Sequence, residues 1–224
     1  MRAHLPDFEF VYGDAEFTPN NHSDSGLVSL ALYSDFGSVY MINQDVDRES
    51  FCDNAFCRDN IWSKLPLRPD GGLNTASPNV MPYAEICAVT SNYFRDLAKG
   101  RNYRESIGFI ADHGTQDMQR IHNLFRNDWG SMPPWIPKRP FADLASLEDL
   151  AGVRNDRLPD GTPLPGKDPE LAHHALYDAQ WDREIHNFLL ERSRAVRVAS
   201  GVELLPNEQL SGRWAVTDPK PAWD

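Results

Sequence analysis

The chain has 224 residues, 41% of them hydrophobic and 25% charged, with 33 acidic against 22 basic side chains and a formal net charge of −11. That length supports one sizeable core. The acidic surplus excludes broad electrostatic wrapping of duplex nucleic acid, which needs a basic footprint, but not an enzyme that grips a few terminal nucleotides through bound cations.

No apolar run approaches the roughly 20 residues of a membrane span, so no membrane partner is expected. The opening MRAHLPDFEF lacks a signal peptide's apolar core. A single cytoplasmic domain over residues 1–224 is the expectation. Cys52, Cys57 and Cys87 are too few for a disulfide framework. No second Cys/His pair stands near Cys52 and Cys57 at a ligand spacing, so reduced, partly buried thiols are expected.

In chain order, Phe8 to Phe17, Leu27 to Tyr33 and Ser38 to Ile42 read as strands. The four-residue connection Ser34-Asp35-Phe36-Gly37 suits an antiparallel hairpin, so these strands form a meander. From Asn43 to Met81 periodicity fades, and Pro66, Pro69, Gly71, Gly72 and Pro78 mark an irregular insertion. Pro82 to Ala98 reads as a helix, with Ile86, Val89, Tyr93, Phe94 and Leu97 mostly at three- and four-residue intervals.

Ser106 to Ala111 is an apolar run of buried-strand type, followed by a helix over Gln116 to Phe125. Met132 to Pro140 holds four prolines and is expected to be extended. Ser146-Leu147-Glu148-Asp149 resembles a capping box for a short helix ended by Gly152. A polar Pro/Gly-rich loop, Arg154 to Pro169, leads to a long helix over Ala172 to Val196, and an irregular tail follows Pro206. Three antiparallel strands followed by alternating helices and short strands predict an α/β or α+β sheet covered by helices.

Acids at element ends carry the chemistry. Asp14 and Glu16 close the first strand, and residues two apart on a strand share a face. Asp117 follows the Ser106–Ala111 strand, and Asp178 opens the last helix. Such carboxylates repel in a cleft unless they bind cations, and hard oxygen ligands suit Mg²⁺ or Mn²⁺. Two ions together stabilise both the attacking and the leaving oxygen of a phosphodiester displacement, and a neutral histidine can deprotonate the water. Singly, an Asp-x-Glu pair is usually a solvated edge, and an Asp at a helix start is often a cap.

Three motifs together resemble the DEDDh 3′→5′ exonucleases, the class of RNase T, oligoribonuclease and proofreading exonucleases. They are Gly13-Asp14-Ala15-Glu16-Phe17, the run from Ala111 to Met118 with Asp117, and His173-His174-Ala175-Leu176-Tyr177-Asp178-Ala179. The second departs from the family pattern at Gly114 and Gln116. The opening and length look most like the actinobacterial exoribonucleases. The resemblance runs from about Phe8 to Leu190; the 43–81 insertion and the tail after 206 fall outside it.

It implies an RNase H-like mixed five-stranded sheet flanked by helices, and two-metal hydrolysis of single-stranded RNA 3′ ends to nucleoside 5′-monophosphates. Asp14, Glu16, Asp117 and Asp178 would hold two Mg²⁺ or Mn²⁺ ions, with His173 as general base. A homodimer is expected, as in many relatives.

Helical spacing alone selects His174, four residues before Asp178; His173 lies about 140° from Asp178 on an ideal helix. The family resolves this by seating its histidine on a loop ahead of the helix, which favours His173 and leaves His174 solvent-exposed or facing phosphate. Phe17 is the candidate for stacking on the terminal base, and His113 for a further substrate contact; core and hydrogen-bonding roles compete for each. A DNA exonuclease is the alternative substrate reading. A catalytically silent binding module is the rival class, against which the full acid set argues.

Overall fold

The computed structural model describes residues 9–99, 107–130, 132–138 and 142–199, the side chains of 194–199 excepted. The meander forms as expected: β1 (Glu9–Phe17), β2 (Leu27–Ser34) and β3 (Gly37–Asn43) pair antiparallel in order. Its β2–β3 turn has two residues, Asp35 and Phe36, rather than four, because Ser34 already pairs with Gly37. Gly37 accommodates this with a φ of +141° that costs glycine little. Tyr93 fastens the corner, accepting from Ser34 Oγ (2.7 Å) and donating to the Gly37 carbonyl (2.8 Å).

The insertion is more ordered than its composition predicts. It contains α1 (Arg48–Cys52), α2 (Ala55–Asn60), a 3-10 turn at Trp62–Lys64, and β4 (Val80–Met81). Helices of five and six residues are too short to display a 3.6-residue period, but their caps were present to be read. Asp47 accepts the N–H of Ser50, and Asn54 accepts those of Phe56 and Cys57. Phe51, Ile61, Trp62 and Leu65 make a satellite core against Val28 and Ile42 of the sheet.

Downstream follow α3 (Tyr83–Leu97), β5 (Ile107–Ala111), α4 (Gly114–Leu124), β6 (Ala142–Asp143), α5 (Leu144–Leu150) and α6 (Ala175–Ala199). Helix α5 is capped by Asp143, which accepts the N–H of Ser146, so Ser146 is an interior residue and not the expected cap. The described part of the proline-rich segment turns at Pro133 to Ile136 instead of running extended. The tail after Pro206 lies outside the described residues.

The sheet runs β4-β3-β2-β1-β5-β6. It is antiparallel through β1–β3 and parallel at β3–β4, β1–β5 and β5–β6. This is the expected mixed α/β sheet flanked by helices, with six strands instead of five, because two-residue strands extend both edges. Strand alternation sorts its faces. Val11 and Ala15 pack with Phe109 of β5 against Ile86 and Phe94 of α3 and Ile121 of α4. Tyr12, Ala31 and Ile110 face Ala175 and Ala179 of α6 on the other side.

Gly13 belongs to the first face, and a Cβ there would lie 2.4 Å from Phe109 Cε2. Gly13→Ala is therefore expected to lower stability by about 1–3 kcal/mol through overpacking, read from the urea midpoint; an unchanged midpoint would show that Phe109 yields freely.

Candidate active site

Asp14 and Glu16 sit opposite Ala31 and Ser29 of β2, on the α6 side of β1. On its other edge β1 pairs with β5 only from Glu9 to Tyr12. Beyond that point β5 ends, and the chain turns through Asp112 and His113 into α4; His113 holds a left-handed φ of 52°. The N–H of Ala15, past the end of this pairing, donates to Asp117 Oδ1 at 2.9 Å. The third acid thus hydrogen-bonds the backbone between the first two.

Helix α6 begins at Ala175, which leaves His173 on the approach loop with a φ of 64°. Asp178, in the first turn, orders that loop: its Oδ2 accepts the His173 N–H at 2.9 Å. Its Oδ1 pairs with Lys167 Nζ at 2.8 Å. His173 Nδ1 comes within 3.9 Å of Glu16 Oε1, with the imidazole 41% exposed and the carboxylate 13%. Glu16, His173 and Asp178 each offer a ligand atom within 4.8 Å of the other two. Phe56, on α2 of the insertion, packs edge-on against the His173 ring at 4.9 Å. Lys64 of the same insertion binds the Ala172 carbonyl.

His174 lies beside this group, toward β3, within electrostatic reach of Asp178 and Lys64. Its ring lies tilted against that of Tyr40 at 4.5 Å and is half-buried, so of the two expected placements, solvent-exposed or facing phosphate, the first does not hold, because the loop turns at His173 and carries the next side chain onto β3.

Burial pushes the Asp14 carboxyl up to about 8, helped by the nearby Asp178 charge and opposed by Lys167. Glu16 is raised by burial and by Asp14, and Asp117 likewise by burial and then Asp14. Burial, reinforced by Lys167 and Lys64, lowers the His173 imidazole against the pull of Asp178, which favours the neutral ring. Asp14 Oδ2 is sealed from solvent and has no hydrogen-bond partner among the described residues. Buried carboxylates with an unpaired oxygen fit a divalent cation.

A fifth acid, Asp182, is 2% exposed one turn below Asp178. Its Oδ2 accepts the Asp112 N–H at 3.0 Å, tying α6 to the end of β5. Burial and Asp14 raise its carboxyl. The i, i+4 spacing from Asp178 was its sequence signal; Lys167, in a Pro/Gly-rich loop, had none.

Phe17 does not share the carboxylates' face. Its ring packs against the α3–α4 core with the Arg120 guanidinium 4.0 Å above it. His113 is exposed at the head of α4, next to Asp112, whose N–H holds Asp182. Cys52 and Cys57 are free thiols raised by burial. No described helix is long and apolar enough to cross a membrane.

No family model and no curated protein sequence matches the chain. Among solved structures it is similar to exonuclease I at 12% identity and a TM-score of 0.49, over 83% of this chain and 41% of that one. The zinc-bound E. coli exonuclease I–single-stranded DNA complex aligns at 14% identity and a TM-score of 0.49, over 87% and 42%. E. coli exonuclease I with a dT13 oligonucleotide aligns at 13% and 0.48, over 86% and 43%. The chain spans about two fifths of the length of these structures. The functional reading therefore rests on the site's own residues.

The raised Asp14 carboxyl has a consequence for the metal-free protein. The folded chain holds this proton more tightly than the unfolded chain, so Asp14 stabilises the fold fully below the ordinary carboxylate range and loses that contribution as pH rises through about 8. In EDTA the melting temperature is expected to fall between about pH 5 and about pH 9, and less steeply in Asp14→Asn. A wild-type profile that is flat or rising over this window would contradict the buried-acid account.

Proposed function

We propose that the chain is a divalent-metal-dependent 3′→5′ exonuclease that hydrolyses the 3′ ends of single-stranded RNA to nucleoside 5′-monophosphates. The observation that carries this reading is the convergence of Glu16 from β1 and Asp178 from α6 on a half-buried, loop-borne His173, with Asp14 beside them on β1 and Asp117 from α4 on the backbone between Asp14 and Glu16. A hydrogen-bonding core polar cluster would pair its oxygens; here buried acids repel one another, and among the described residues neither Asp14 Oδ2 nor Asp178 Oδ1 has a hydrogen-bond partner, the latter having only the Lys167 ammonium beside it.

Asp14, Glu16 and Asp178, with Asp117 beside them, would hold two Mg²⁺ or Mn²⁺ ions. When bound, such ions supply positive charge for the phosphodiester's developing negative charge. His173 takes a proton from the attacking water, whose oxygen bonds to the terminal phosphorus. The bond from phosphorus to the penultimate nucleotide's 3′-oxygen breaks, that oxygen takes a proton from solvent to become a 3′-hydroxyl, and His173 returns its proton to solvent. The left-handed backbone at His173, its N–H on Asp178 and Phe56 against its ring keep the imidazole aimed beside Glu16.

RNA as substrate follows the family resemblance. Single-stranded DNA is the second reading, which the make-up of the site supports equally: carboxylates and an imidazole act on the phosphodiester alike with or without a 2′-hydroxyl.

Matched RNA and DNA oligonucleotides carrying a 5′ label should be shortened stepwise in Mg²⁺, with RNA faster, and a 3′-phosphate should suppress the reaction. Cleavage of a circular RNA would instead identify an endonuclease. Asp14→Ala should abolish turnover and keep the fold; full activity in that variant or in excess EDTA would end the two-metal reading.

His173→Ala should lower kcat by about 10²–10⁴-fold, while His174→Ala loses far less. The acid limb of the wild-type profile should lie below the ordinary histidine range, since burial lowers the imidazole, and should vanish in His173→Ala. A crippled His174→Ala beside a near-normal His173→Ala would reverse the assignment.

A further inference from the structure

Lys167 belongs to the loop between α5 and α6, and two residues of α6 clip that loop on either side of it. Trp181 Nε1–H donates to the Pro165 carbonyl at 3.2 Å, and the Asp168 N–H donates to Tyr177 Oη at 2.6 Å. Tyr177 and Trp181 are one helical turn apart, so α6 presents a fixed two-point seat. The Lys167 ammonium lies 4.8 Å from the centre of the Trp181 ring and 2.8 Å from Asp178 Oδ1. Asp14 and Asp182 lie within its electrostatic reach, and its charge acts on Glu16 as well. The His173 N–H hydrogen-bonds Oδ2 of Asp178, while Oδ1 has the Lys167 ammonium beside it as an ion pair and no hydrogen bond of its own among the described residues.

We propose that Lys167 is the resident counter-cation of the acidic site, holding Asp178 in the metal-free protein and giving up that carboxylate when a divalent ion binds. The proposal rests on the reading of these acids as metal ligands. A carboxylate oxygen taken by an ammonium cannot give its full donor strength to a metal, so binding becomes an exchange of one cation for another. Such an arrangement keeps the repelling acids folded before metal arrives, and lowers metal affinity by the strength of the displaced ion pair.

Calorimetric titration with Mn²⁺, without nucleic acid, tests this directly. Lys167→Met keeps the stem over Trp181 and removes the charge; it should bind Mn²⁺ roughly three- to tenfold more tightly, the range for losing a partly buried ion pair. Its metal-free melting temperature should drop, and its Mn²⁺-induced rise should exceed that of the wild type. Lys167→Arg, whose guanidinium grips a carboxylate in two-point fashion, should bind Mn²⁺ no more tightly than wild type.

Equal or weaker Mn²⁺ binding by Lys167→Met overturns the exchange. Should that variant fail to fold, tighter binding by Lys167→Arg than by wild type overturns it. Absence of Mn²⁺ binding to the wild type removes both the exchange and the metal reading. Mn²⁺ binding in a protein without nuclease activity removes the nuclease reading and leaves the exchange standing.

Discussion

Carboxylates drawn into a water-poor cleft repel one another, and the surroundings of this site are arranged to supply the charge and donors that offset the repulsion. Asp117 accepts the backbone N–H of Ala15, Asp182 that of Asp112, and Asp178 that of His173. Lys167 brings the full positive charge closest to Asp178. Asp14 retains an oxygen with no partner among the described residues, and burial holds its proton on. The acids are thus hydrogen-bonded well enough to fold, yet short of the positive charge that would satisfy them, a deficit that the proposed cations would make good.

The sheet makes that crowding feasible. Strand alternation gives β1 one apolar face toward α3 and α4 and turns Asp14 and Glu16 toward α6. Because β5 stops short of the end of β1, the last N–H groups of β1 are open to side chains from α4, and Asp117 crosses from the opposite layer to use one. Helix α6 then brings Asp178 and Asp182 on successive turns, with small Ala175 and Ala179 allowing it to approach the sheet closely.

The insertion between β3 and α3 takes part in the same arrangement. Its satellite core of Phe51, Ile61 and Trp62 anchors it on the sheet. From that base Phe56 braces the His173 ring and Lys64 holds the Ala172 carbonyl, so two side chains from it fix the loop that carries the proposed base. Tyr40 of β3 receives His174 and completes the separation of the two adjacent histidines.

Local patterning was enough to identify the meander, α3, β5, α4 and α6, because each buries a stripe or face long enough to repeat its period. Spacing put Asp14 and Glu16 on one face of β1 and Asp178 at the start of the last helix, whereas helical spacing alone selected His174 and only the family resemblance pointed to His173, which lies on the loop ahead of α6. The two-residue β2–β3 turn, the Asp143 cap and the short insertion helices were misread or missed, since a cap or a turn is decided by one or two hydrogen bonds and leaves no periodic trace.

Tertiary structure alone decided what distant segments contribute. It set Lys167 on Asp178, put Phe56 against His173, buried Asp182 beneath the site and turned Phe17 into the opposite core. The physical reason is range. The sequence records the preferences of each segment over a few residues, whereas the balance of charge in a buried cleft depends on groups more than a hundred residues apart that meet only once the sheet and its helices have packed.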